Sequence, residues 1–142
     1  MAKQDLQAAE RALRKAIELA PESVDAHFDL GTVLFEQRDY PGAALCFHRV
    51  TELEPSYGPA YLRLGRCQLR RGDRAAALSA FRAAVRYVPH HAEARRELGE
   101  LLAQEGRASE AAEELRQALR LRPDDAKAKE LLEEVSRRAP EK

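Results

Sequence analysis

Arg63, Arg66 and Arg70 are spaced i, i+3 and i+7, which puts three side chains on one face of an α-helix. Guanidinium groups gathered on one surface supply flat, forked donor sets that hold a carboxylate or phosphate through paired hydrogen bonds. The same groups also serve as ion-pair partners for acidic neighbours within the chain. Phe28 and Phe35, spaced i and i+7, offer either an apolar anchor for a partner or a patch half-buried against the preceding helix. Chemistry that makes and breaks bonds has no comparable constellation: no nucleophile stands with a base and an orienting group, and no Gly-rich phosphate loop occurs. His90-His91 lack a third ligand at metal spacing, His27 reads as a packed helix residue, and His48 reads as one on an outer helix face. The expectation is a chain that is not an enzyme and needs no cofactor or metal.

Elements rich in Ala, Leu, Glu and Arg must carry these side chains, and all four are strong helix formers. The 142 residues, 34% charged and 44% hydrophobic, suffice for one all-α domain or a short stack of repeats. A formal net charge of zero argues against a surface built for nucleic acid. No apolar run nears the roughly 18 residues that cross a bilayer, and the polar start has no signal-peptide core. Cys46 and Cys67 form no CxxC pair and read as small buried hydrophobes in a reducing compartment, so a cytoplasmic location is expected.

Gly31, Gly65 and Gly99 fall 34 residues apart, and Ala43, Ala77 and Ala111 keep the step, as do Pro55, Pro89 and Pro123. A fixed period of this size marks a solenoid whose units bury apolar faces against their neighbours. Each row reads as helix, turn, helix, turn. In the second helix, Ala at row position 20, a large apolar residue at 24 (Phe47, Phe81, Leu115) and a small one at 27 (Val50, Ala84, Ala118) form one stripe facing the first helix. Gly at position 8 and Ala at 20 remove bulk where the paired helices come closest. Gly72 and Gly106 suit the left-handed position between helices, Asp39 and Asp73 suit N-caps, and the prolines stop the second helices.

The layout is a single domain over residues 1–142: a half repeat at 1–23, full repeats at 24–57, 58–91 and 92–125, and a capping helix at 126–142. The outward side of that cap is polar, through Lys127, Glu130, Glu134, Arg137 and Arg138, and Glu133 stands where a repeat would have Gly.

These residues resemble the tetratricopeptide repeat family, whose pattern is a bulky residue at 4, Leu-Gly at 7 and 8, bulky at 11, Ala at 20, aromatic at 24, Ala at 27 and Pro at 32. Departures are His27 and Arg95 at position 4, Gln68 at 11 and Leu115 at 24, and Arg95 leaves the tightness of packing in the third repeat open. The resemblance implies an all-α superhelix of three full helix pairs, with first helices lining a concave groove for a peptide or a partner's helix. Groove positions carried over from the family give Phe28, Thr32 and Phe35 in the first repeat, Leu62, Arg63, Arg66 and Arg70 in the second, and Arg96 in the third. Chaperone-binding members hold a carboxylate with Lys and Asn where this chain has Phe28 and Thr32, so that ligand is not expected.

Charge is uneven along the rows. The first has two basic and six acidic residues (−4), the second seven and one (+6), and the third six and nine (−3). The leading expectation is therefore a non-catalytic protein-interaction scaffold whose partner carries acidic groups near an apolar anchor. Alternatives are a substrate-presenting segment of a larger enzyme and self-association through an N-terminal edge bearing Leu6, Leu13 and Ile17. A lesser one is an RNA-binding helical repeat of the pentatricopeptide kind.

Overall fold

Every turn that ends a helix also begins the next one, and the same few devices recur. The computed structural model describes residues 2–138, so residues 139–142 of the expected cap lie outside it. The described residues form the helices α1 (Lys3–Leu19), α2 (Val24–Glu36), α3 (Tyr40–Leu53), α4 (Gly58–Arg70), α5 (Arg74–Tyr87), α6 (Ala92–Gln104), α7 (Ala108–Leu121) and α8 (Ala126–Arg138), with no strand. Two compact units are present, Met1–Ala80 and Phe81–Lys142.

The turns within helix pairs are Schellman closures. Asp39 N–H donates to Leu34 O at 2.8 Å, Asp73 N–H to Gln68 O at 2.9 Å, and Arg107 N–H to Leu102 O at 2.9 Å. The residue before each takes the left-handed conformation: Arg38 at φ 65°, Gly72 at φ 80° and Gly106 at φ 77°. Asp39 and Asp73 then cap the following helix, accepting from Gly42 N–H and Ala76 N–H at 3.0 Å. Ser23, His91 and Asp125 cap α2, α6 and α8 in the same way. Because His91 accepts through Nδ1 from Ala94 N–H at 3.1 Å, its ring is occupied as a helix cap.

In the Met1–Ala80 unit the core joins Leu30, Leu34, Ala43, Ala44, Cys46, Phe47 and Cys67. Gly31 lies against Phe47 so closely that a Cβ there would stand 2.9 Å from the ring. The half repeat α1 completes this core: Leu6 is 8% exposed, and Leu13 and Ile17 pack onto the cluster. The face bearing Leu6, Leu13 and Ile17 is thus turned toward the chain's own core, with Leu13 and Ile17 partly buried there. Burial pushes the Cys67 thiol up to about 11, with nearby Cys46 acting in the same direction, and burial also raises Cys46.

In the Phe81–Lys142 unit, Leu98, Leu101, Leu102, Ala111, Leu115 and Ala118 are buried, and a Cβ on Gly99 would meet Leu115 Cγ at 2.8 Å. Helix α8 closes this unit by burying Ala128 and Val135 and exposing Lys127, Glu130, Glu133, Arg137 and Arg138. Arg95 does not loosen the packing. Its Nε donates to Pro89 O at 2.9 Å and its Nη1 pairs with Glu114 at 2.8 Å, both side chains being largely sheltered.

Candidate functional site

Helices α2 and α4 are brought side by side by α3, which packs on both. Two contacts bridge them. The Arg63 guanidinium carbon lies 5.7 Å from the Phe28 ring centroid, and that of Arg70 lies 5.8 Å from Phe35 and 5.7 Å from Tyr40. The contacts follow the same chain order on both helices, so α2 and α4 run parallel. Each contact is worth about 0.5–1 kcal/mol at an exposed site, through attraction of the cation to the negative ring face.

The rings are themselves held. Phe28 meets Phe47 edge-on at 5.3 Å and Tyr57 at 5.6 Å, while Phe35 meets Tyr40 at 5.1 Å. The Tyr40 hydroxyl also accepts from Arg70 Nη1 at 3.4 Å. Phe28 and Phe35 are half-buried, packed on the core but with ring surface left to solvent. Tyr40 and Tyr57 escaped the sequence reading because they stand at helix boundaries, where face arguments do not reach.

Other expected site residues fare differently. Thr32 donates its hydroxyl to Phe28 O at 3.1 Å, so that group serves its own helix. Leu62 is only 5% exposed and lies within the packing. Arg66 is half-buried between Arg63 and Arg70 and has an interaction of its own. Arg96 Nε pairs with Asp125 at 3.1 Å, and the two side chains are 19% and 10% exposed. That carboxylate caps α8 as well, so Arg96 holds a helix junction.

The arginines named so far differ in what they meet. In Phe81–Lys142, Arg82 and Arg107 both bind Glu110, Arg95 binds Glu114 and Arg96 binds Asp125. Arg82 is the main cause holding the exposed Glu110 carboxyl below its usual range. In Met1–Ala80, Arg63 and Arg70 rest on rings and form no ion pair with a described residue. No helix among the described residues is long and apolar enough to cross a membrane.

The tetratricopeptide repeat family model matches residues 1–57, 29–78 and 62–126. A comparison with curated protein sequences finds no match. Among solved structures the chain is similar to MamA, with a TM-score of 0.89 at 21% identity over 95% of this chain and 79% of that one. It is similar to YrrB, described as a TPR protein with an unusual peptide-binding site, with a TM-score of 0.78 at 29% identity over 90% and 66%. It also resembles the first TPR of Spaghetti (RPAP3), solved with the HSP90 peptide SRMEEVD, with a TM-score of 0.77 at 20% identity over 81% and 91%. The all-α repeat fold expected from the 34-residue period is the fold of these proteins.

Proposed function

Because the chain belongs to the tetratricopeptide repeat family, we propose that it is a non-catalytic protein-interaction scaffold that holds a peptide or helix of a partner between α2 and α4. The observation that carries this reading is the pair Arg63 and Arg70 beside aromatic rings with no ion pair to a described residue, whereas Arg82, Arg95 and Arg96 pair with carboxylates. A guanidinium attracted to a ring face has its rotamer freedom narrowed before a ligand arrives, so less ordering cost falls on binding. The half-buried Phe28 and Phe35 rings beside it offer apolar surface, which fits a partner with acidic groups near an apolar anchor. Similar repeat proteins solved or described with peptides support that class of ligand. Cys46 and Cys67, both free and buried, fit a reducing compartment such as the cytoplasm.

Titration of the chain with labelled peptides that combine Leu or Phe with Glu tests the reading. Saturable binding that weakens with salt and falls in the Arg63→Ala/Arg70→Ala variant is expected. Unchanged affinity and salt dependence in the variant would remove the arginines from the site, and absence of saturable binding would remove the site.

A further inference from the structure

Arg63 and Arg70 stand seven residues apart on α4, and the rings beneath them, Phe28 and Phe35, stand seven apart on α2. Seven residues of α-helix advance about 10.5 Å. The two arginine positions on α4 are thus about 10 Å apart along the helix, and each guanidinium carbon lies within 6 Å of the centroid of a ring from α2. The Arg70 bond to Tyr40 is long, at 3.4 Å, and uses one donor of a five-donor group. On α2, Asp25, Asp29 and Glu36 occupy exposed positions farther round the helix than the two rings. They repel an anion from that side, leaving α4 as the side where a carboxylate gains.

Resting on the proposed interaction role, we infer that this face selects acidic peptide segments by spacing: two carboxylates about 10 Å apart, one on Arg63 and one on Arg70. Three residues of polyproline-like extended chain advance about 9.3 Å and return the side chain to the same side. Seven residues of helix advance about 10.5 Å with the same result. Segments with Glu at i and i+3 when extended, or at i and i+7 when helical, fit both arginine positions. Adjacent acidic residues reach one.

Fluorescence anisotropy with the full chain tests this with four labelled peptides sharing one apolar anchor. Two carry Glu pairs at the matching spacings, the second in a helix-favouring sequence; one carries adjacent Glu; one carries Gln instead. A matching peptide is expected to bind about fivefold or more tighter than the adjacent pair, the scale of one charge-assisted contact. Which of the two does so tells an extended from a helical ligand. The Arg63→Lys/Arg70→Lys variant keeps the charge but loses the flat fork, and it should lose the preference while circular dichroism shows it folded. Equal binding of spaced and adjacent pairs overturns the spacing rule and leaves the interaction role standing. Binding of none overturns both, and a preference that survives in the lysine variant overturns its assignment to these arginines.

Discussion

Arg95 donates from Nε to the carbonyl of Pro89 at 2.9 Å, and so takes over in its repeat the bond that Tyr61 makes to Pro55 at 2.7 Å. His27 does the same to Pro21 at 2.8 Å, with the hydrogen on Nε2 because a carbonyl only accepts. Three unlike side chains at one row position share a task, which is to tie the first helix of a repeat to the proline turn before it. An aromatic ring is one way to reach that carbonyl, and a guanidinium is another.

Arg95→Met should therefore destabilise the chain by about 1–2 kcal/mol, since it removes a charge-assisted bond to a backbone carbonyl and a sheltered ion pair. Arg95→Tyr restores the carbonyl bond and should recover part of the loss. Urea denaturation of the three proteins checks the order wild type, Tyr, Met.

Gly31→Ala gains up to about 1 kcal/mol of helix propensity. It also sets a Cβ 2.9 Å from the fully buried Phe47 ring. Overpacking of a rigid ring wins, and a net loss of about 1–3 kcal/mol is expected. A higher midpoint of thermal unfolding in this variant would contradict the close packing of α2 on α3.

Arg38 sits at φ 65°, where the equivalent residues in the next two turns are Gly72 and Gly106. A side chain costs roughly 1–2 kcal/mol in that conformation, partly offset by the greater freedom glycine gives the unfolded chain. Arg38→Gly should stabilise the protein by about 0.5–1 kcal/mol, and Gly72→Ala should destabilise it. Denaturant midpoints of the two variants should move in opposite directions.

The Cys67 thiol, pushed up to about 11 by burial, stays protonated at neutral pH. It should react with a thiol reagent at pH 8 far more slowly in the folded chain than in urea. The folded value lies above the ordinary 9.0, so the associated stability is fully present below about pH 9 and is lost as pH rises through about 11. Unfolding free energies across that window should fall more steeply for the native chain than for Cys67→Val.

The 34-residue step made the helices, their turns and most of the core legible, because each depends on residues within one repeat or its immediate neighbour. Gly, Pro and Asp at fixed offsets specify a Schellman turn or a cap locally, whatever lies beyond. Arg63 and Arg70 were likewise legible as a pair sharing a face, since helical spacing alone decides that.

What those arginines touch was not legible. The sequence allowed ligand contacts or ion pairs with acidic neighbours. The folded chain instead seats them on Phe28, Phe35 and Tyr40, residues 30 to 35 positions away. Leu62 and Arg96 show the same limit, one turned into the packing and one drawn to Asp125. A repeat position fixes the backbone path, whereas a long side chain's partner depends on which neighbouring helix offers a ring, a carbonyl or a carboxylate within reach. By itself the sequence determined a helical-repeat protein with an arginine-rich second repeat. Only tertiary structure decided which of the named arginines meet a carboxylate and which meet a ring, because that choice rests on contacts between helices.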